Sequence, residues 1–171
     1  DNTGLLIFTI RNGLIKPDQN SPAKTYCEVL LLSDEGQVTP THCHCSKMED
    51  IINRAGGRLV IELWNADPKT KEIDNITQVT VSVDSITLTV PAGGKITLDP
   101  GNSITLPPYM YHKFYAEKGS GMVLAVEISP ADDGNDNLFN PPVPWVLNIE
   151  EDEPPKYLLC GEVSQAPKES K

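Results

Sequence analysis

At 171 residues and a formal net charge of −10, the chain has the length of one domain and can bury a core without disulfides. Its acidic balance excludes nucleic acid as a ligand, because binders of a phosphate backbone present a basic face. No run approaches the roughly 20 apolar residues of a membrane span, the opening DNTGLL is not a charged segment followed by an apolar one, and four cysteines without CxxC spacing do not make a disulfide scaffold. The expectation is therefore a protein with no membrane partner in a reducing cytoplasm.

Leu5–Ile10 is a short apolar run closed by Arg-Asn-Gly, which predicts a strand and a turn. A loop over Lys16–Ala23 precedes a second strand, Tyr26–Leu32, whose turn Asp34-Glu35-Gly36 leads into a stretch carrying His42 and His44. MEDIINR, beginning at Met48, is at most a helical turn, and Arg58–Trp64 is the next strand. After a polar loop, Asn65–Gln78, the runs Val79–Val83 and Ile86–Val90 alternate β-branched residues with Thr and Ser around Asp84-Ser85, a hairpin pattern. Lys95–Leu98, Ser103–Leu106, Met110–Tyr115 and Met122–Ser129 complete the series between Gly and Pro turns. Short strands with almost no helical periodicity predict an all-β, double-sheet jelly roll or barrel. Beyond Ser129 the chain becomes rich in Pro, Asp and Glu. We read 130–155 as an extended arm on the barrel, Lys156–Val163 as a final strand and 164–171 as a disordered tail, so that 1–163 forms a single domain.

His42 and His44 are two of only three histidines, and on a strand their imidazoles share one face while Cys43 and Cys45 take the other. A copper or zinc site built on HCHC would split its ligands across both faces, so the two cysteines read as small, apolar, outward neighbours. Glu49 follows five residues after His44, and His112 stands in PPYMYHKFY on a later strand. Together these make a mixed nitrogen and oxygen donor set for a divalent metal. Their alternative reading is core or surface residues matched by chance.

The spacing from Gly36 through His42, His44 and Glu49 to Gly56 is that of the first cupin motif, and Gly101, Pro107 and His112 keep the frame of the second, with Tyr109 where that motif usually has Gly and Ala116 where it often has Asn. The wording HCHCSKMEDIINRAGGRLVIEL, GNSITLPPYMYHKF and EEDEPPKYLLCGE resembles the D-lyxose isomerase family of the cupin superfamily over nearly the whole chain. The resemblance implies a cupin jelly-roll β-barrel (double-stranded β-helix) and interconversion of D-lyxose and D-xylulose with a divalent metal, usually manganese. This chain departs from the family at Val29, where Lys is usual, at Cys43 and Cys45, where aromatic residues are usual, and near Trp145 and Val146, where an Arg-Phe pair is usual.

Aldose–ketose interconversion moves a proton or hydride between C1 and C2 and places charge on O1 and O2, which a Lewis acid with open coordination positions stabilises. His42, His44, Glu49 and His112 leave about two positions open in an octahedral site but would fill a tetrahedral one. Manganese (Mn2+) is thus expected, with Zn2+, Fe2+, Co2+ and Ni2+ as alternatives. The proton route also needs a base. Glu127 on MVLAVEIS is the first candidate, because it shares a face with Val123 and Ala125 and carboxylates seldom point inward; otherwise it is a structural carboxylate answering an Arg. Lys47, two residues before Glu49, points the same way on an extended segment and can polarise a sugar oxygen or transfer a proton, unless it is a solvated loop lysine. Asp136 in DDGNDN is a binder of sugar hydroxyls or a turn residue. With no Gly-rich cradle or basic cluster, a free monosaccharide is expected and not a sugar phosphate. Its partner would be a second copy of the chain, a homodimer covering an outward patch at Cys43 and Cys45. The rival readings are another metal-dependent cupin enzyme, such as a non-haem iron dioxygenase, and a non-catalytic, metal-stabilised sugar-binding cupin.

Overall fold

A computed structural model of the protein describes residues 3–15, 22–131 and 134–143. The expected final strand, the tail, most of the arm and the positions of Trp145 and Val146 lie outside the described residues. The strands are β1 (Leu6–Asn12), β2 (Tyr26–Ser33), β3 (His42–His44), β4 (Glu49–Gly56), β5 (Leu59–Ala66), β6 (Ile73–Asp74), β7 (Val79–Val83), β8 (Ile86–Val90), β9 (Gly94–Leu98), β10 (Ser103–Leu106), β11 (Met110–Ala116), β12 (Val123–Pro130) and β13 (Asn137–Phe139). No helix forms among the described residues, so none there is long and apolar enough to cross a membrane.

Two curled antiparallel sheets face each other. One has the order β1-β2-β12-β4-β10-β7-β8 and the other β13-β3-β11-β5-β6, with β9 paired to β5. Strand alternation decides what fills the space between them: Cys27, Val29 and Leu31 of β2, Ile51 of β4, and Leu59, Ile61 and Leu63 of β5 all turn inward. Leu59, Ile61 and Leu63 are each 0% exposed, and full burial of such a side chain contributes about 2 kcal/mol. The same alternation leaves Glu62, Lys95, Lys113 and Tyr115 on the outer face, where the Glu62 carboxylate takes both ammonium groups at 3.0 Å and the tyrosine hydroxyl at 3.1 Å.

This is the expected all-β jelly roll, and the one stretch with any helical option is extended. MEDIINR does not make a helical turn: most of it lies in β4, where Glu49, Ile51 and Asn53 alternate inward with period two. Pairing with β10 on one side and β12 on the other supplies the backbone partners a helix would have found within itself. The polar loop 65–78 also holds a two-residue strand, β6, against the end of β5. β4 closes at Gly56, whose φ of 90° favours glycine and whose position would drive a Cβ into the carbonyl oxygen of Met122. Gly56→Ala is expected to lose on the order of 3 kcal/mol of stability in a denaturant titration, since neither the backbone angle nor the rigid carbonyl can give.

Candidate metal centre

β3 lies between β13 and β11, and its register carries the site. His42 stands opposite His112 on one side and Phe139 on the other, while His44 stands opposite Asn137. The ring centroids of His42 are 4.3 Å from those of His112 and 5.3 Å from those of His44, and one ring nitrogen from each of the three lies within 4.8 Å of the others. Glu49, leading β4 from the opposite sheet, brings Oε2 to 3.0 Å from Nε2 of His44 and Oε1 to 3.1 Å from Nε2 of His112. The four residues singled out in the sequence thus meet at one place, between the two sheets.

Their protonation suits ligation. Burial, reinforced by neighbouring His112, lowers His42 to about 3, so its imidazole is neutral at ordinary pH. Nδ1 of His42 lies 2.8 Å from the Pro40 carbonyl and Nδ1 of His112 lies 3.0 Å from the Met110 carbonyl. A ring nitrogen facing a carbonyl oxygen must carry the proton, which leaves Nε2 of each as a lone-pair donor. Burial alone would raise the Glu49 carboxyl, but the imidazoles of His112 and His44 outweigh it and hold it well below the carboxylate range. Nδ1 of His44 is buried without a hydrogen-bond partner, and Nε2 of His112, though 3.1 Å from Oε1 of Glu49, makes no well-directed hydrogen bond. A buried Nε2 of His112 with no directed hydrogen bond, where three imidazoles and a carboxylate meet, is what a divalent cation would satisfy, so these residues fit such an ion.

The turn between β10 and β11 explains why His112 is delivered so closely. Tyr109, where the second motif usually has Gly, has a φ of 60°, a left-handed conformation costing a non-Gly residue roughly 1–2 kcal/mol. It is held there by a bond from its amide to the His44 carbonyl at 2.8 Å, by one from the Ala66 amide to its own carbonyl at 2.9 Å, and by the Lys71 ammonium 4.1 Å over its ring. The preference for Gly at this position is a preference for that backbone angle.

Behind the histidines, Cys43 takes the opposite face as alternation requires, but it is not outward. It is 0% exposed, lying beside Tyr111, whose hydroxyl donates to the Lys71 carbonyl at 2.9 Å. A patch for a second copy therefore cannot include Cys43. Burial pushes its thiol up to about 11, away from the thiolate a metal would need. Cys43 and Cys45 are free thiols. Replacing Cys43 and Cys45 together by Ala is expected to leave metal content unchanged, at a cost of about 1 kcal/mol for the emptied space behind β3, checked by elemental analysis and melting.

Beside the four donors stands a second group. Lys47 is not a solvated loop lysine: it is 6% exposed, with Nζ 2.8 Å from Oε1 of Glu127 and 3.3 Å from Oε2 of Glu49. Glu127 pairs across the sheet with Val29 and Ile51 and accepts a bond from the Ser129 hydroxyl at 3.1 Å. Burial first, and the negative charge of Glu49 second, raise its carboxyl against the opposing pull of Lys47. Glu127 thus answers a lysine and not an arginine. Val29, where the resembling family usually has Lys, is buried apolar surface next to it. Asp136 turns both carboxylate oxygens to the β3–β4 turn, accepting from the Ser46 and Lys47 amides and the Ser46 hydroxyl. Sequence reasoning reads Phe139 as a buried residue of the arm but misses β13 and the place beside His42, whose ring lies 5.4 Å from that of Phe139; the only signal was the apolar pair Leu138-Phe139 after a run of Asp, Asn and Gly.

A sequence model of the D-lyxose isomerase family matches residues 1–163. The chain is 48% identical over 160 residues to a D-lyxose/D-mannose isomerase of Serratia proteamaculans, covering 93% of this chain and 68% of that one. It is 45% identical over 164 residues to a D-lyxose/D-mannose isomerase of Escherichia coli O157:H7, covering 95% and 70% respectively. Among solved structures, an L-ribose isomerase of Cellulomonas parahominis with L-psicose aligns with a TM-score of 0.56 at 16% identity, over 79% of this chain and 68% of that one. An L-ribose isomerase of Geodermatophilus obscurus aligns with the same TM-score of 0.56 at 15% identity, over 80% and 69%. At such low identity these two likenesses concern the fold.

Proposed function

The chain belongs to the D-lyxose isomerase family and is a sugar isomerase with the cupin jelly roll, and from that premise we propose that it interconverts D-lyxose and D-xylulose, with D-mannose and D-fructose as a second pair, in a site holding a divalent ion. The observation that carries this reading is one cluster in which three imidazoles and Glu49 adjoin a buried Lys47–Glu127 pair. His42, His44, Glu49 and His112 would hold the ion, manganese by preference, which supplies Lewis-acid stabilisation of charge on the sugar oxygens when bound.

The residues of the chain do the proton work. Glu127 takes the proton from C2 of the aldose as the C1–C2 double bond forms and O1 receives a proton from the Lys47 ammonium, and it returns its proton to C1 as the O2–H proton passes back to the Lys47 amine and the ketone forms. Its raised carboxyl makes it a stronger base than an exposed glutamate. Lys47, charged between two carboxylates, keeps Glu127 ionised in the resting site and presents its ammonium to a sugar oxygen that gains charge. Lys47→Met is expected to slow turnover by about 10²-fold while leaving metal content unchanged.

The test is a panel of free aldoses assayed for ketose formation by the purified, Mn2+-supplemented protein. D-lyxose should give D-xylulose with the highest kcat/KM. Oxygen consumption without ketose would point to an oxygenase, and pentose binding without turnover in any metal to a sugar-binding cupin.

The reading extends to a cytoplasmic homodimer. Free thiols at Cys43 and Cys45 support a reducing compartment. In place of the excluded Cys43 patch, β1 supports a dimer: among the described residues it is an edge strand whose Leu6, Ile7, Phe8 and Ile10 are about half exposed on both faces. Light scattering at micromolar concentration should give twice the chain mass, and a monomer would remove this part of the reading.

A further inference from the structure

We propose that Asp136 is a positioning residue that acts through Lys47, fixing the turn between β3 and β4 so that the ammonium stands between Glu49 and Glu127; this rests on the isomerase reading above. The turn, residues 45–48, joins two site strands in opposite sheets, and three of its successive amides converge on this one residue. The Cys45 amide donates to the Asp136 carbonyl at 3.1 Å, the Ser46 amide to both carboxylate oxygens at 3.1 Å, and the Lys47 amide to Oδ2 at 2.8 Å. The Ser46 hydroxyl adds a bond to Oδ1 at 2.9 Å. Successive N–H groups wrapped on a carboxylate form an anion nest, here filled from within the chain.

The consequence falls on Lys47. Its neighbours on the turn are exposed, Met48 by 50%, yet its own side chain is buried between two carboxylates. A flexible lysine stem stays so directed only if the backbone that launches it is fixed, and Asp136 is what fixes that backbone. The same short strand pairs Asn137 with His44 and Phe139 with His42, so the turn and the histidine strand are held as one piece. With both carboxylate oxygens committed to the turn, Asp136 serves the reaction through Lys47 and not by binding sugar hydroxyls.

Asp136→Asn keeps the shape but presents an amide that donates toward backbone donors. In the Mn2+-loaded protein it is expected to lower kcat by about 10- to 100-fold with KM changed less than about threefold and metal content intact. In a Lys47→Met background the same change should cost less than about threefold, because its route of action is already gone. A readout free of turnover accompanies these: acetylation of Lys47 by an N-hydroxysuccinimide ester, followed by mass spectrometry, should speed up about tenfold or more in Asp136→Asn while the exposed Lys95 reacts as before. If the wild type isomerises no aldose, the isomerase reading fails, and the labelling still decides the clamp. Should Asp136→Asn not fold, Ser46→Ala removes one donor and should raise Lys47 labelling in the same direction, by about threefold. Unchanged Lys47 labelling, a rise in KM with kcat kept, or losses that multiply in the double variant would overturn the proposal.

Discussion

Glu127→Gln is expected to bind its metal and fold normally yet turn over roughly 10² to 10⁴ times more slowly than the parent. The amide keeps the size of the carboxylate and still offers an oxygen to the Ser129 hydroxyl and the Lys47 ammonium, which lie 3.1 Å and 2.8 Å from Oε1. What it cannot do is accept a proton from carbon. KM should change little, since the lost interaction belongs to the transition state. The variant also removes one negative charge from a pocket where Glu49 already opposes the ionisation of Glu127, so its stability should not suffer. Near-normal turnover would move the base to another acidic residue, with the Glu150–Glu153 segment next in line, and would leave Glu127 as the carboxylate that keeps Lys47 in place.

The second large effect concerns His112. His112→Ala should lose bound metal and lower turnover by about 10³-fold or more, because the imidazole is 1% exposed and faces His42 across the ladder and Glu49 across the barrel. Removing it also empties a fully buried site and leaves Glu49 buried with one neighbour fewer, so the variant should melt earlier, by the equivalent of roughly 2–4 kcal/mol. Retention of one ion per chain with normal turnover would mean that the three remaining donors suffice.

Much of this architecture was legible because strands write their faces into the sequence with period two. The hairpin of β7 and β8 follows from it, and so do the shared face of His42 and His44 and the face that Glu127 shares with Val123 and Ala125. β4 was harder: MEDIINR is rich in residues that tolerate a helix, and its adjacent Ile51 and Ile52 blur the alternation that pairing with β10 and β12 imposes. β13 is three residues long, and its partner is β3, more than ninety positions upstream. Alternation also says which face a side chain takes but not whether that face is covered. Cys43 was read correctly as turned from the histidines and wrongly as outward, because its cover comes from Tyr111 and the 67–72 loop, long-range packing that no local pattern records. Lys47 is the converse case. Its direction followed from its distance to Glu49, while its burial followed only from Asp136 and Glu127, which lie 89 and 80 residues away.

An ion held by His42, His44, Glu49 and His112 is what the isomerisation requires. The direct measurement is a titration of Mn2+ into chelator-treated protein, following bound metal and conversion of D-lyxose to D-xylulose in the same samples. Turnover should be absent without the ion and rise in proportion to occupancy up to one ion per chain. Full turnover in metal-free protein, or turnover indifferent to the amount bound, would contradict it.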